Sequence, residues 1–258
     1  MLALLDSKRP GVLVFPELAP GRAITLPSST QTQPRCLALL GDDLVTIDQV
    51  TGEATRWIAA AATWVPQPWA AFAAPSAAAT GSDGLLLVAD ASGLWQITLN
   101  GDRRLLRAAS AGERTIGVGV AGDGRIAVTT NPAGVLVSAD GGQNWTPLDT
   151  PAQRPGAIAG LPDGFAVVDA NDRAVHLVRD ARPPASIGAA EGVIAPLAVA
   201  AAFDGVVVAD AVSGRVRRYA VVGDTVIPAE FVDAQPLPTA PPLFQRPVAL
   251  AAPIPTGA

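Results

Sequence analysis

Short apolar runs recur along this chain, and each is closed by Gly, Asp or Pro before a helical face could build up. The stretch from Gly81 to Ala109, GSDGLLLVADASGLWQITLNGDRRLLRAA, sets the pattern. It holds an Asp-Gly turn, an apolar strand ending at Asp90, a turn with Gly93, a second strand, a turn at Asn100-Gly101 and a third strand. Asp-Gly between two apolar runs is a hairpin signal, because glycine supplies the positive φ that a tight turn needs. The runs are Val-rich and unbroken or alternating, with no spacing of three and four. They therefore predict strands throughout.

Nearly every other part of the chain is a variant of this stretch. Aligning the residue that ends each second strand gives Asp6, Asp48, Asp90, Thr130, Asp169 and Asp210, at steps of 42, 42, 40, 39 and 41 residues. Asp83-Gly84, Asp123-Gly124, Asp163-Gly164 and Asp204-Gly205 mark the preceding turns, with Asp42-Asp43 in the same place earlier. A period near 40 with four short antiparallel strands per unit is the pattern of a propeller blade. The predicted blades run over about 35–65, 76–109, 115–148, 156–187 and 197–231.

Two ends remain. Residues 247–252 read as an inner strand. Leu2–Leu5 ending at Asp6, Val12–Phe15 and Ala23–Leu26 read as the other three. Residues 1–30 plus 246–258 would then share a closing blade. The fold predicted is all-β, a single six-bladed β-propeller domain over 1–258, closed by its N- and C-terminal strands. Gly223–Gln245 reads as an excursion, and the Pro-rich segments Pro66–Pro75 and Thr150–Pro155 as connectors covering sheet edges.

Three resemblances refine this. Ser138-Ala-Asp140-Gly-Gly142-Gln-Asn-Trp145 resembles the Asp-box, the Ser-x-Asp-x-Gly-x-x-Trp hairpin of bacterial-neuraminidase-type repeats, with Asn144 where Thr is common. The resemblance implies a structural turn between third and outer strands, with Ser138, Asp140, Gly142 and Trp145 in structural roles. Trp145 is expected under the next blade. Asp204-Gly-Val-Val-Val-Ala-Asp210-Ala-Val-Ser-Gly214-Arg-Val-Arg-Arg218 resembles the NHL type of propeller repeat, and Gly81–Ile97 and Asp163–Val178 fit it more loosely. That implies architecture more than activity. Leu4-Leu-Asp6-Ser7 followed by Leu18-Ala-Pro-Gly21 resembles segments of phage-tail-like and contractile injection proteins.

Composition narrows the classes. The formal charge is -5, which gives no footprint for nucleic acid. Charged residues are 16% of the chain, well below the usual quarter, which points to burial inside something larger or to an Ala- and Arg-rich composition bias. Cys36 is the only cysteine, so no internal disulfide forms. The start, MLALLDSKRPG, lacks a charged n-region and a long apolar core, and no apolar run reaches membrane-spanning length. A cytoplasmic protein with no membrane insertion is expected, in a particle if the third resemblance holds.

Groups for chemistry are few. The aspartates Asp6, Asp48, Asp90, Asp169 and Asp210 would ring one face. They could hold a cation or a basic partner, or each could accept backbone N–H bonds in its own turn. Their regularity favours turns, because a ligand site breaks the symmetry of its repeat. The single histidine, His176, falls mid-strand, as does Tyr219, away from the channel. Inner strands such as Ile-Gly-Val-Gly-Val and Leu-Ala-Val-Ala-Ala are small and apolar, leaving no catalytic residue to name. No cofactor motif is present.

Trp64, Trp69 and Phe72, between prolines, are candidate binding anchors or seam packing, and Phe231 and Phe244 mark a second candidate surface. A non-catalytic interaction or scaffold module with protein partners in a larger assembly is the leading expectation. The alternatives are a metal-dependent lactonase or lyase on the same fold, and a glycan or small-ligand binder using Trp64 and Trp69.

Overall fold

The computed structural model describes residues 2–6, 12–15, 24–25, 33–60, 63–81, 83–132, 134–202, 204–231 and 247–251. The chain enters through β1 (Leu2–Asp6), β2 (Val12–Phe15) and β3 (Ile24–Thr25). The first blade is β4 (Pro34–Leu40), β5 (Asp43–Asp48), β6 (Glu53–Ala60) and β7 (Thr63–Ala71). The second is β8 (Ala77–Thr80), β9 (Leu86–Asp90), β10 (Gly93–Ile97) and β11 (Arg103–Ala108). The third is β12 (Arg114–Val120), β13 (Ile126–Asn131), β14 (Gly134–Ser138) and β15 (Thr146–Pro147). The fourth is β16 (Pro155–Leu161), β17 (Gly164–Asp169), β18 (Ala174–Arg179) and β19 (Ala185–Ile187). The fifth is β20 (Pro196–Ala202), β21 (Gly205–Asp210), β22 (Arg215–Val222) and β23 (Thr225–Phe231), and β24 (Pro247–Ala251) follows.

These five blades are antiparallel sheets in simple strand order. A further four-stranded sheet has the order β24-β1-β2-β3, with Ala3 opposite Ala251 and Leu4 opposite Leu250. The inner strands β4, β8, β12, β16, β20 and β24 touch in that sequence, and β24 touches β4 in turn. The molecule is thus an all-β propeller of four-stranded antiparallel blades around a central channel.

The core lies in the seams between blades, which explains why the second strands read as unbroken apolar runs. In β9, Leu86 and Val88 face the first blade while Leu87 and Ala89 face the third. A strand buried on both faces has no polar alternation to show. At places the inner strands approach so closely that only glycine fits. A Cβ on Gly160 would lie 1.7 Å from the Val120 carbonyl oxygen. Side chains also tie neighbouring blades at their inner strands, from the second strand β13 and from the inner strand β8. Thr129 Oγ1 donates to the Gly156 carbonyl at 2.6 Å, and Thr80 Oγ1 to that of Leu39.

Several boundaries differ from expectation. The segment expected as a connector from Pro66 is the outer strand β7, with Pro66 opposite Trp57 and Pro68 opposite Thr55. Being outermost, β7 can spare an N–H, so proline is tolerated there. The connector proper begins at Phe72. Inside the stretch expected as an excursion, β23 is the outer strand of the fifth blade, which was expected to run to about 231, and 232–246 lies outside the described residues together with Phe244. The side chains of Asp6 and Phe231 are also outside the described set.

Candidate functional site

Two regions carry the candidate chemistry: the channel, and the face formed by the turns after the second strands together with the connectors between blades. The channel holds two cavities, of about 80 and 190 Å³. Their walls are aliphatic, typified by Ala38, Val118, Ala159 and Val199, with Arg35, Cys36, Ser76, Thr80 and the backbone adding the polar and sulfur groups. The larger opens where the inner strands begin, at Arg35, Ser76, Ile116 and Leu197.

Asp48, Asp90, Asp169 and Asp210 lie on that same face, and their carboxylates are engaged. Asp48 Oδ1 accepts the N–H groups of Val50 and Thr51 at 2.8 and 2.9 Å, and Oδ2 that of Gln33 at 2.6 Å. Asp90 accepts Ser92 N–H at 2.8 Å and Ala73 N–H at 3.3 Å, with Trp95 Nε1 at 3.1 Å. Asp169 accepts Asn171, Gln153 and Arg154 N–H at 2.7, 2.7 and 3.2 Å. Asp210 accepts Val212 and Ser213 N–H at 3.0 and 2.8 Å on Oδ1, and Ile194 and Ala195 N–H at 2.6 and 2.7 Å on Oδ2.

Each carboxylate therefore does more than cap its own turn. One oxygen holds the turn and the other reaches the connector that leads into the blade. Burial pushes the Asp210 carboxyl up, but the bonds from Ser213, Ala195 and Ile194 together outweigh it and leave it below the usual carboxylate range. Asp169 shows the same balance, burial opposed by the Gln153, Asn171 and Arg154 bonds. In the third blade Thr130 takes this place, its hydroxyl on the Gly134 carbonyl at 3.3 Å, and the turn runs through a cis Asn131–Pro132 bond.

Among the described residues, one group brings three ligand-type side chains within 4.8 Å of one another: Asp169, Asp172 and His176. His176 stands in β18, opposite Val167, and is 5% exposed. Tyr219 is buried in the seam between fourth and fifth blades, its hydroxyl donating to the Glu191 carbonyl at 3.2 Å.

The Asp-box segment forms a closed turn between β14 and β15. Ser138 Oγ meets Asp140 Oδ1 at 2.8 Å and accepts Gly142 N–H at 2.8 Å, while Asp140 accepts Gln143 and Asn144 N–H at 2.9 Å each. Bonds from the Asn144 backbone and side chain, then from Ser138, hold the Asp140 carboxyl at about 2. Trp145 packs on the seam with the preceding blade, beside Leu87, Leu94 and Leu106, rather than under the next one. Leu106 of β11 lies under Gly142, its Cβ 3.0 Å from where a Cβ on that glycine would stand.

The aromatic anchors are largely consumed. Phe72 is 7% exposed and packs in the seam of first and second blades, with the Arg103 guanidinium 4.7 Å above its ring. That rules it out as a surface anchor. Trp69 is half-buried against the same seam, and Trp64 against the seam with the β24 sheet. The most exposed apolar side chains on the aspartate face are ones the sequence reading did not pick: Val50 at 68%, Val212 at 67% and Ile194 at 48%. Val50 and Val212 occupy the turns just after Asp48 and Asp210. A hydrophobic residue in a turn that the repeat otherwise fills with polar ones was the available signal.

Fold and site together define a propeller with a small-residue channel and a hydrogen-bond-locked upper face. No family model matches the chain, and no curated protein matches it in sequence. Solved structures match it in fold. Nidogen from its complex with laminin superposes with a TM-score of 0.73 at 14% identity, covering 97% of either chain. Virginiamycin B lyase from Staphylococcus aureus gives 0.60 at 14% identity, over 84% of this chain and 73% of the lyase. A catalytically inactive histidine-to-alanine variant of that lyase with quinupristin gives 0.59, over 80% and 72%. At such identities the likeness is one of β-propeller fold alone.

Proposed function

We propose that this chain is a non-catalytic, six-bladed propeller that serves as a protein-interaction module in a larger assembly. The observation that carries the reading is the contrast between channel and face. The described channel lining supplies no carboxylate or imidazole, and burial pushes its one thiol, Cys36, up to about 12, which keeps it protonated and a poor nucleophile. The face above it exposes Val50, Ile194 and Val212, while the neighbouring carboxylates are spent on backbone bonds.

The first and fifth blades, which carry these residues, are the two neighbours of the β24 sheet. We take that sheet as the closing blade, in which terminal strands lock the ring. A patch flanking the closure suits a partner that reads the assembled ring rather than a loose chain. The nidogen propeller matched in fold was solved in complex with laminin, a protein partner, which fits this reading. The resemblance of Leu4–Ser7 and Leu18–Gly21 to contractile injection proteins names the type of particle to examine first, although Ser7 and 18–21 lie outside the described residues.

A lyase or lactonase would need acid–base groups or a cation in the channel. The chain's one histidine sits in the third strand of its blade, outside the channel walls. A glycan binder would need Trp64 and Trp69 free to stack, and both are half-buried against seams. The test is Val50→Asp combined with Val212→Asp. The doubly substituted chain should keep its melting profile and lose cross-links to its partner in a native lysate. Unchanged cross-links would refute this face as the contact.

A further inference from the structure

We propose that the fourth blade carries a divalent transition-metal site of the zinc type, formed by His176 Nε2, Asp169 Oδ2 and Asp172 Oδ2. His176 is buried, yet its Nε2 has no hydrogen-bond partner among the described residues. That nitrogen faces both carboxylates, 3.7 Å from Asp169 Oδ2 and 3.7 Å from Asp172 Oδ2. Such separations are too long for hydrogen bonds. They are close to the roughly 3.4 Å between adjacent ligands of a tetrahedral ion with bonds of about 2.1 Å. A small inward shift would close the triad on an ion.

The groups that would orient these ligands are already in place. His176 Nδ1 lies 2.8 Å from Ser186 Oγ. With the proton on Nδ1 donated to that hydroxyl, the Nε2 lone pair points at the carboxylates, the arrangement metal-binding imidazoles require. Asp169 is fixed by backbone N–H groups and keeps a lone pair on Oδ2 beside the one given to Gln153. Asn171 Nδ2 lies 3.2 Å from Asp172 Oδ1, which leaves Oδ2 for the ion. Asp172 is 43% exposed in its side chain, so an ion has a route in and a remaining position for water.

The repeat supplies the comparison. In each other blade with an aspartate in the described residues, the third-strand residue opposite the position two before it is the counterpart of His176: Thr55, Trp95 and Arg217. Trp95 reaches its aspartate with an N–H. Three residues after the aspartate come Thr51, Gly93 and Ser213, where the fourth blade has Asp172. Only this blade of the four pairs a third-strand imidazole with a second carboxylate. One imidazole with two carboxylates suits zinc or a neighbouring first-row ion over calcium or magnesium, which take oxygen alone. The ion would bind the end of β17, the turn and β18 together on the rim, outside the channel walls.

The test uses the full chain without a histidine tag, stripped with chelator and dialysed against Zn²⁺. One Zn²⁺ per chain is expected, with affinity falling at least about tenfold in Asp172→Asn. Asp172 is exposed, so the metal-free variant should melt with the wild type. Because the chain has a single histidine, its ring resonances report the site without ambiguity even if a variant fails to fold. Stoichiometric Zn²⁺ should shift them. No stoichiometric uptake at tens of micromolar Zn²⁺, equal uptake by a folded Asp172→Asn, or uptake that leaves the imidazole resonances unmoved would each overturn the proposal.

Discussion

Replacing Asp210 by Asn tests how the aspartates hold the ring. The side chain keeps its shape and one oxygen, but its other end becomes an NH₂ group facing donors. Whichever way the amide turns, two backbone N–H bonds are lost, either Ile194 and Ala195 at 2.6 and 2.7 Å or Val212 and Ser213 at 3.0 and 2.8 Å. Bonds to a charged acceptor contribute about 1.5–3 kcal/mol each. The turn donors can turn partly to water, so the lower end applies, a loss of about 3 kcal/mol. For a chain of this size that lowers the melting temperature by about 6–12 °C. Asp42→Asn, at an exposed first turn, should change stability by less than about 0.5 kcal/mol.

The pH dependence has a definite sign. The Asp210 carboxyl is held below its unfolded value, so its contribution is complete above the ordinary Asp range and fades as pH falls through the folded value. The gap between wild type and variant should be full at pH 7 and narrow below about pH 4. Urea unfolding across that range measures it. A variant within 1 kcal/mol of wild type at pH 7 would refute the role given to these carboxylates.

Other consequences can be checked separately. Gly160→Ala drives a Cβ into the Val120 carbonyl and should cost about 3 kcal/mol or more by thermal melting, or prevent the third and fourth blades from docking. Burial pushes the Cys36 thiol up to about 12, only partly opposed by Arg35, so the native chain should resist thiol reagents at pH 8 and react at once in urea. Trp57 Nε1 donates to Thr46 Oγ1 at 2.9 Å in a buried seam, and Thr46→Val should cost about 1–3 kcal/mol in urea unfolding. Asp140 should titrate at about 2 by NMR and move upward in Ser138→Ala, which removes one of its donors.

The repeat was legible because second strands buried on both faces leave long apolar runs, and because the Asp-Gly turns recur in register. In sequence, Leu2–Asp6 copies the second-strand pattern and 247–251 the inner one, and the two pair in one four-stranded sheet. The outer strand of the first blade was not legible, since Pro66 and Pro68 mimic a connector, and only its place at the edge makes them harmless. Nor was the second half of each aspartate's role. Gln33, Gln153 and Ile194 N–H are ordinary connector groups in sequence, and only the fold brings them beneath a carboxylate fifteen or sixteen residues on. His176 reads as a plain strand residue until Asp172 and Ser186 are seen beside it. Trp64, Trp69 and Phe72 stood out as aromatics between prolines, a signature that packing in a seam and display on a surface share.

The central claim is that this propeller works inside an assembly. It is tested most directly by sedimenting a gentle native lysate and following the endogenous chain. The account predicts that the protein runs in a large particle, with neighbours cross-linking through Val50, Ile194 or Val212. A free monomer of 26.1 kDa under those conditions would contradict it and would turn attention to an activity of the isolated ring.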